Sequence, residues 1–186
     1  MKYNPDKHHR KSIRLKNYNY SNIGSYFITV CAYNHECLFG DIEDGRMQLN
    51  NCGRIIESEW LRSSEIRKEI ELDIYQTMPN HLHGIIIITE CPNNHVGAIH
   101  ELPLQNNDRI ARRKMLIPKI IGRFKMNSSK QINVLRKSAG VPVWKRNYYD
   151  HIIRNENELN QIREYIINNP LKWEFDEDNP KNRVKP

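Results

Sequence analysis

The sequence predicts an α+β domain in which helices flank one antiparallel sheet. Strand-like and helix-like segments alternate in the order strand, helix, strand pair, helix, strand, helix. The strand pair meets at Met78-Pro79-Asn80, where Pro and Asn favour a turn. The run Ile85 to Ile88 leaves no polar residue to face solvent, so its strand is expected in the middle of the sheet, covered on both faces. This order of elements is akin to a ferredoxin-like arrangement.

The first half of the chain supplies three strands and one helix. Residues 25–33 are rich in aromatic and β-branched side chains, and a short extended piece is expected at 37–42. Residues 50–68 follow a helical period, with an Asn at position 50 or 51 able to cap the start. Residues 71–78 alternate as a strand does, and residues 81–89 continue as the next strand.

The second half begins with a predicted loop at 91–110, which has no periodicity and carries Pro, Gly and Asn. A helix is expected from about 117 to 137, followed by a strand or extended arm at 141–153. A last helix, roughly 156–168, ends at Asn169-Pro170, because proline disfavours helical geometry in the residue before it.

Composition limits the class of protein. A chain of 186 residues and 22.2 kDa is one domain, predicted at 21–176 with tails at 1–20 and 177–186. Apolar residues at 38% and a mean hydropathy of −0.77 exclude a collagen, a membrane protein and a wholly disordered chain. No apolar signal segment follows the basic start, so we expect a cytoplasmic protein. The four cysteines form no CxxC pair, and we interpret them as reduced structural thiols that form neither disulfides nor a zinc site.

The positive charge is concentrated in two stretches. Lys and Arg number 29 against 22 Asp and Glu, a surplus of +7, yet residues 109–137 alone hold ten Lys or Arg and no acid. A helix face that merely faces solvent is the alternative, but such a face normally interleaves acids. The apolar stripe through Ile117, Ile120 and Phe124 favours a core-facing helix over a membrane-binding one. We therefore expect nucleic-acid phosphates as the partner. The predicted DNA-binding residues are Arg10, Lys11, Arg14, Arg109, Arg112, Arg113, Lys114, Lys119, Arg123, Lys125 and Lys130.

His81-Leu82-His83 is the strongest candidate for a metal site. Residues i and i+2 of a strand face the same side, so both imidazoles can converge on one ion while Leu82 faces the core. Two histidines on a strand also occur as ordinary hydrogen-bonded structure, and the site needs a third ligand.

The last helix offers that ligand and a nucleophile. Tyr165 and Asn169 are four residues apart, so they share one helical face and can reach the histidine strand together. Two nitrogens and an amide oxygen would suit Mg²⁺ or Mn²⁺ acting on a phosphodiester. The structural alternative makes Tyr165 a half-buried core aromatic and Asn169 a helix-end residue.

Three ordered blocks, MPNHLHGII at 78–86, VWKRNYYDHIIRNE at 143–156 and YIINNPLKW at 165–173, resemble the single-tyrosine transposases of the HUH superfamily, and most closely the REP-associated tyrosine transposases. The resemblance covers about residues 20–175. It implies an RRM-like sheet, a divalent metal (Mg²⁺ or Mn²⁺) on His81 and His83, and Tyr165 as nucleophile. Asn169 stands where related insertion-sequence enzymes carry a Gln ligand, which implies that it is the third ligand.

The activity implied by this resemblance is cleavage of single-stranded DNA near a hairpin through a covalent 5′-phosphotyrosine, in the bacterial cytoplasm at the nucleoid, by a monomer or homodimer. Tyr148 and Tyr149 are rival nucleophiles that we interpret as packing or base-stacking residues. Tyr149, Asp150 and His151 are candidates for a supporting role near the metal. The rival functions are a non-catalytic nucleic-acid-binding domain of RRM-like fold and a hydrolase in which water attacks.

Overall fold

The computed structural model describes residue 15, residues 18–90 and residues 113–182. Most of the predicted basic tail and the predicted loop at 91–110 lie outside these residues. So do five of the predicted DNA-binding residues, namely Arg10, Lys11, Arg14, Arg109 and Arg112.

Six strands and three α-helices make up the described fold. The strands are β1 (Gly24–Cys31), β2 (Gly40–Glu43), β3 (Arg46–Leu49), β4 (Ile70–Thr77), β5 (His81–Ile88) and β6 (Tyr149–Ile153). The helices are α1 (Asn51–Ile66), α2 (Leu116–Leu135) and α3 (Glu156–Asn168), with 3-10 helices at Tyr33–His35 and Pro170–Phe175. Asn50 caps α1, as predicted, by accepting a hydrogen bond from the amide of Gly53.

The main sheet has the strand order β4-β5-β1-β6, and every neighbouring pair is antiparallel. The predicted α+β class is confirmed, and this order matches the predicted ferredoxin-like arrangement. The isoleucine-rich strand β5 lies inside the sheet, as predicted. A separate hairpin, β2-β3, is inserted between β1 and α1.

The two faces of the sheet carry different helices. On the first face, α1 and α2 cover the main core. The sheet contributes Tyr26, Ile28 and Leu82 to this core, and the helices contribute Trp60 and Phe124. On the second face, α3 packs against β4, and its Leu159 and Ile166 join a smaller cluster that is completed by Phe27, Ile85 and Ile153. Because side chains alternate along a strand, the odd-numbered residues of β5 share the second face with α3.

Polar contacts fix α3 on the second face. Asn155 caps the helix through the amide of Glu158 at 2.9 Å, and the Glu158 carboxylate accepts a hydrogen bond from Nε2 of His151 on β6 at 2.7 Å. Arg163 forms an ion pair with Asp73 of β4 at 2.7 Å. The helix stops before Pro170, where the chain tightens into the second 3-10 helix.

Two predicted extents differ from the structure. Within the strand or extended arm expected at 141–153, the strand of the sheet is β6, and before it Trp144 forms an isolated antiparallel bridge with Ala32. The indole of Trp144 donates a hydrogen bond to the hydroxyl of Ser128 in the main core. The folded region also continues past 176, since Asn179 is buried and bonds to the carbonyl of Trp173. No helix within 18–90 or 113–182 has the length and apolar character needed to cross a membrane.

Gly84 of β5 packs tightly against Trp60 in the main core. A Cβ there would lie 2.4 Å from Cζ2 of Trp60. We expect Gly84→Ala to lower the free energy of unfolding by about 1–3 kcal/mol through overpacking. Gly122→Ala is the control, because a Cβ on that exposed helical glycine meets nothing within 4 Å and should raise stability by about 0.5–1 kcal/mol. Urea denaturation measures both, and equal stability of Gly84→Ala and wild type would contradict the packing.

Candidate active site

The predicted histidine pair lies on the second face of the sheet, beneath α3. His81 and His83 are 0% and 4% exposed, and their Nε2 atoms are 3.0 Å apart. Nδ1 of His81 is 2.8 Å from Oδ1 of Asn80, and Nδ1 of His83 is 2.8 Å from the hydroxyl of Thr29. Since the amide nitrogen of Asn80 donates to two carbonyls, its oxygen accepts from His81. Both rings are therefore fixed with Nε2 facing the same point.

Burial determines the protonation state of His83. Desolvation lowers the pKa of His83 well below its usual value, and the neighbouring His81 lowers it further. The imidazole of His83 is therefore neutral at physiological pH. A neutral imidazole is the form that binds a metal ion.

The same pKa shift predicts how stability depends on pH. The unfolded chain takes up a proton on His83 near its usual pKa of about 6.5, whereas the folded protein does so only at lower pH. We expect the free energy of unfolding of the metal-free protein to fall as the pH drops below about 6.5, and to level off below the folded-state pKa. Denaturant melts with EDTA from pH 7.5 to 5 measure this loss, and His83→Gln should flatten the curve. An equal slope in both proteins would contradict the assignment.

Tyr165 reaches the pair from α3. Its hydroxyl lies 3.4 Å from Nε2 of His83, and its ring stands edge-on to Phe27 at 6.1 Å. The side chain is 46% exposed, so an incoming molecule has access to it. Desolvation raises the pKa of the phenol, Asp176 raises it further, and a hydrogen bond with Asn169 opposes them. Without a cation the phenol is protonated at neutral pH.

Asn169 ends α3 one helical turn after Tyr165. Its side chain is 3% exposed, and its Oδ1 has no hydrogen-bond partner among the described residues. A buried acceptor without a donor costs about 1–3 kcal/mol, unless something outside the protein satisfies it. A cation beside the two imidazoles would satisfy this oxygen. The donor set, two nitrogens and one oxygen, therefore fits a divalent metal.

The three candidates for a supporting role lie in different places. Tyr149 pairs with Thr29 in the sheet register and is 48% exposed on the second face, with its ring 6.2 Å from Phe27. His151 is bonded to Glu158 and holds α3. Asp150 pairs with Ile28 and is buried on the opposite face of the sheet from the histidine pair, which favours the structural interpretation of this residue.

Tyr148 is buried within the main core, so the structure gives it a packing role. Of the tyrosines considered as nucleophiles, Tyr165 is the one whose hydroxyl is within hydrogen-bond distance of the histidine pair.

The basic surface is carried by α2 and the residues that precede it. The predicted residues Arg113, Lys114, Lys119, Arg123 and Lys130 are exposed. Lys125 differs, because its ammonium group donates to the carbonyls of Lys145, Arg146 and Asn147. This lysine holds the loop that leads into β6, so its ammonium group is directed to the protein and not to the DNA surface. The prediction missed Arg146, which lines one surface cavity with Lys119 and Arg123.

Known proteins resemble this chain in sequence and in fold. No family model matches it. A Haemophilus influenzae protein described as "Uncharacterized protein" is 44% identical over 180 residues, which cover 95% of this chain and 96% of that protein. A solved structure of a REP-associated tyrosine transposase bound to a REP hairpin aligns with 86% of this chain and 73% of its own, with a TM-score of 0.50 and 17% identity. The chain therefore belongs to the family of the Haemophilus influenzae protein, and it has the fold of a REP-associated tyrosine transposase.

Proposed function

We propose that this protein is a metal-dependent strand transferase that cleaves single-stranded DNA beside a hairpin, with Tyr165 as the nucleophile. The observation that carries the proposal is the 3.4 Å approach of the Tyr165 hydroxyl to Nε2 of His83, one of two buried imidazoles whose Nε2 atoms face each other.

His81, His83 and Asn169 would hold the metal, Mg²⁺ or Mn²⁺. The bound ion would supply charge stabilisation at the scissile phosphate and would lower the pKa of nearby oxygen nucleophiles. Asn80 and Thr29 orient the two rings toward the ion, as outer hydrogen-bond partners of metal-binding histidines do. The orphaned oxygen of Asn169 supports the third position.

Tyr165 would perform the exchange of bonds. Its oxygen forms a bond to phosphorus and its proton is released, while the bond to the 3′ oxygen breaks and that oxygen takes up a proton. The product is a 5′-phosphotyrosine and a free 3′-hydroxyl. Because one ester replaces another, a second 3′-hydroxyl can attack the link and rejoin the strand without an outside energy source.

The basic face of α2 supports a DNA substrate. Lys119 and Arg123 are exposed beside Arg146, and the loop after Arg146 leads into β6, where Tyr149 is exposed on the face of the histidine pair. Phosphates of a hairpin stem would bind the cations, and a base of the single-stranded flank would stack on Tyr149. The solved relative in fold is itself bound to a hairpin.

Reversing the charge of this face should weaken binding. We expect the double variant Lys119→Glu and Arg123→Glu to lose at least about tenfold in hairpin affinity and to show a shallower dependence on salt. Arg54→Glu with Lys68→Glu is the matched control, because both residues are exposed on or just after α1. Fluorescence anisotropy across a salt series measures the effect. Equal losses in the two double variants would place the DNA elsewhere.

A covalent intermediate is the direct test of the proposed function. The protein is incubated with Mn²⁺ and a DNA hairpin with single-stranded flanks on both sides, and then separated on a denaturing gel and digested for mass spectrometry. We expect a shifted protein band and a nucleotide on the peptide that contains Tyr165. Cleaved DNA without attached protein would favour water as nucleophile, and binding without cleavage would favour a non-catalytic domain.

A further inference from the structure

A second group of metal-binding side chains lies where β1 ends. Cys31 is the last residue of β1, His35 ends the following 3-10 helix, and Asp178 comes from the C-terminal segment. One ligand atom from each lies within 4.8 Å of the others. Nδ1 of His35 is 3.1 Å from one carboxylate oxygen of Asp178, and Sγ of Cys31 is 3.8 Å from the other.

These spacings fit a tetrahedral zinc ion. With Zn–S near 2.3 Å and Zn–N or Zn–O near 2.0 Å, ligand atoms of such a site lie roughly 3.3–3.6 Å apart. The His35–Asp178 distance of 3.1 Å and the Cys31–Asp178 distance of 3.8 Å run to different carboxylate oxygens and lie about 0.2 Å outside that range, so a small side-chain adjustment would accommodate the ion. Thiolate, imidazole and carboxylate are each ligands of Zn²⁺, and the thiolate favours Zn²⁺ over Mg²⁺, which prefers oxygen ligands.

The backbone at His35 points to the same conclusion. Asn34 and His35 are consecutive residues with φ of 51° and 55°, the left-handed region that L-residues avoid. Such a conformation costs of order 1–3 kcal/mol and persists where the surroundings require it. Here it directs a side chain that is 5% exposed toward Asp178. A simple surface turn would not need an inward imidazole.

We propose that Cys31, His35 and Asp178 form a zinc site, separate from the histidine pair, that ties the C-terminal segment to the end of β1. Cys31 is opposite His81 in the sheet register. Asn80 links the two places, because its amide nitrogen donates to the carbonyls of His35 and Asp178 while its oxygen accepts from His81. The fourth position is left for water, since three side chains supply ligands. The cysteine spacing did not predict this site, since its ligands are distant in sequence.

Cobalt substitution tests the proposal on the full-length chain. Co²⁺ bound by a thiolate gives a sulfur-to-metal charge-transfer band in the near ultraviolet, which nitrogen and oxygen ligands do not. We expect the band to saturate at one Co²⁺ per chain, to vanish on addition of Zn²⁺, and to be absent from Cys31→Ser. The matched control is Cys37→Ser, since Cys37 is exposed and outside the cluster, and it should keep the full band.

A second pair of variants separates this site from the histidine pair. The double variant His81→Ala and His83→Ala should keep the sulfur band, whereas Asp178→Asn should weaken Co²⁺ affinity at least tenfold. Zinc should raise the melting temperature of the double variant His81→Ala and His83→Ala, and adding Cys31→Ser to that variant should remove the rise. A wild-type protein without the band, or a band that persists in Cys31→Ser, would overturn the proposal. Neither result depends on DNA cleavage, so the proposed function can fail while this site stands.

Discussion

Tyr165→Phe is expected to abolish the covalent protein–DNA product and to lower strand cleavage by at least about a thousandfold. The change removes one oxygen, the atom 3.4 Å from Nε2 of His83. The phenyl ring keeps its edge contact with Phe27, so neither the fold nor the shape of the site should change. Hairpin affinity should stay within about twofold of wild type, since the basic face of α2 is untouched.

The measurement is single-turnover cleavage of an end-labelled hairpin with single-stranded flanks, with anisotropy for binding. Tyr149→Phe is the matched control, because it removes a hydroxyl from an exposed tyrosine on the same face of the sheet. It should keep cleavage within about threefold, because its proposed role is stacking through the ring. Cleavage by Tyr165→Phe at the wild-type rate would reject the tyrosine mechanism. A nucleotide found on Tyr149 would identify Tyr149 as the nucleophile in place of Tyr165.

The sequence alone predicted those features of the site that depend on residues close together in the chain. The period-two spacing of His81 and His83 put both imidazoles on one face of β5, and the four-residue spacing of Tyr165 and Asn169 put both on one face of α3. Pro170 marked the end of α3. These patterns depend on the geometry of one strand or one helix, which the chain carries in its own spacing.

Features that join distant residues were harder to predict. The strand or extended arm expected at 141–153 is interrupted between Trp144 and β6, where Lys125 binds the carbonyls of residues 145–147, a contact that local β-propensity does not contain. The charge of Lys125 suggested that it binds DNA. In the folded chain its ammonium group instead donates hydrogen bonds to the carbonyls of the loop before β6, and this contact is not visible in the sequence. The face of Asp150 depends on the register of β6 against β1, which no residue of β6 specifies alone.

The hairpin β2-β3 was predicted in part, since the extended piece expected at 37–42 overlaps β2, and the missed strand β3 did have a local signal. The hairpin β2-β3 turns at Asp44-Gly45, where both residues have positive φ. An Asp-Gly pair between two short alternating segments is the usual signature of a two-residue turn of this kind. That signal would have placed β3 ahead of α1. The cluster of Cys31, His35 and Asp178 has no such signature, because 143 residues separate His35 from Asp178 (178 − 35).

Alanine at both His81 and His83 is expected to remove metal-dependent cleavage, again by at least about a thousandfold, while hairpin binding persists. The two imidazoles are buried with Nε2 atoms 3.0 Å apart, and each Nδ1 is already engaged with Thr29 or Asn80. Their Nε2 atoms face each other, as two ligands of one shared cation would. Mn²⁺ binding followed by electron paramagnetic resonance should fall with cleavage, and circular dichroism should confirm that the variant is folded. Full cleavage by wild type in EDTA, or by the variant in Mn²⁺, would mean that the tyrosine acts without a metal on these histidines.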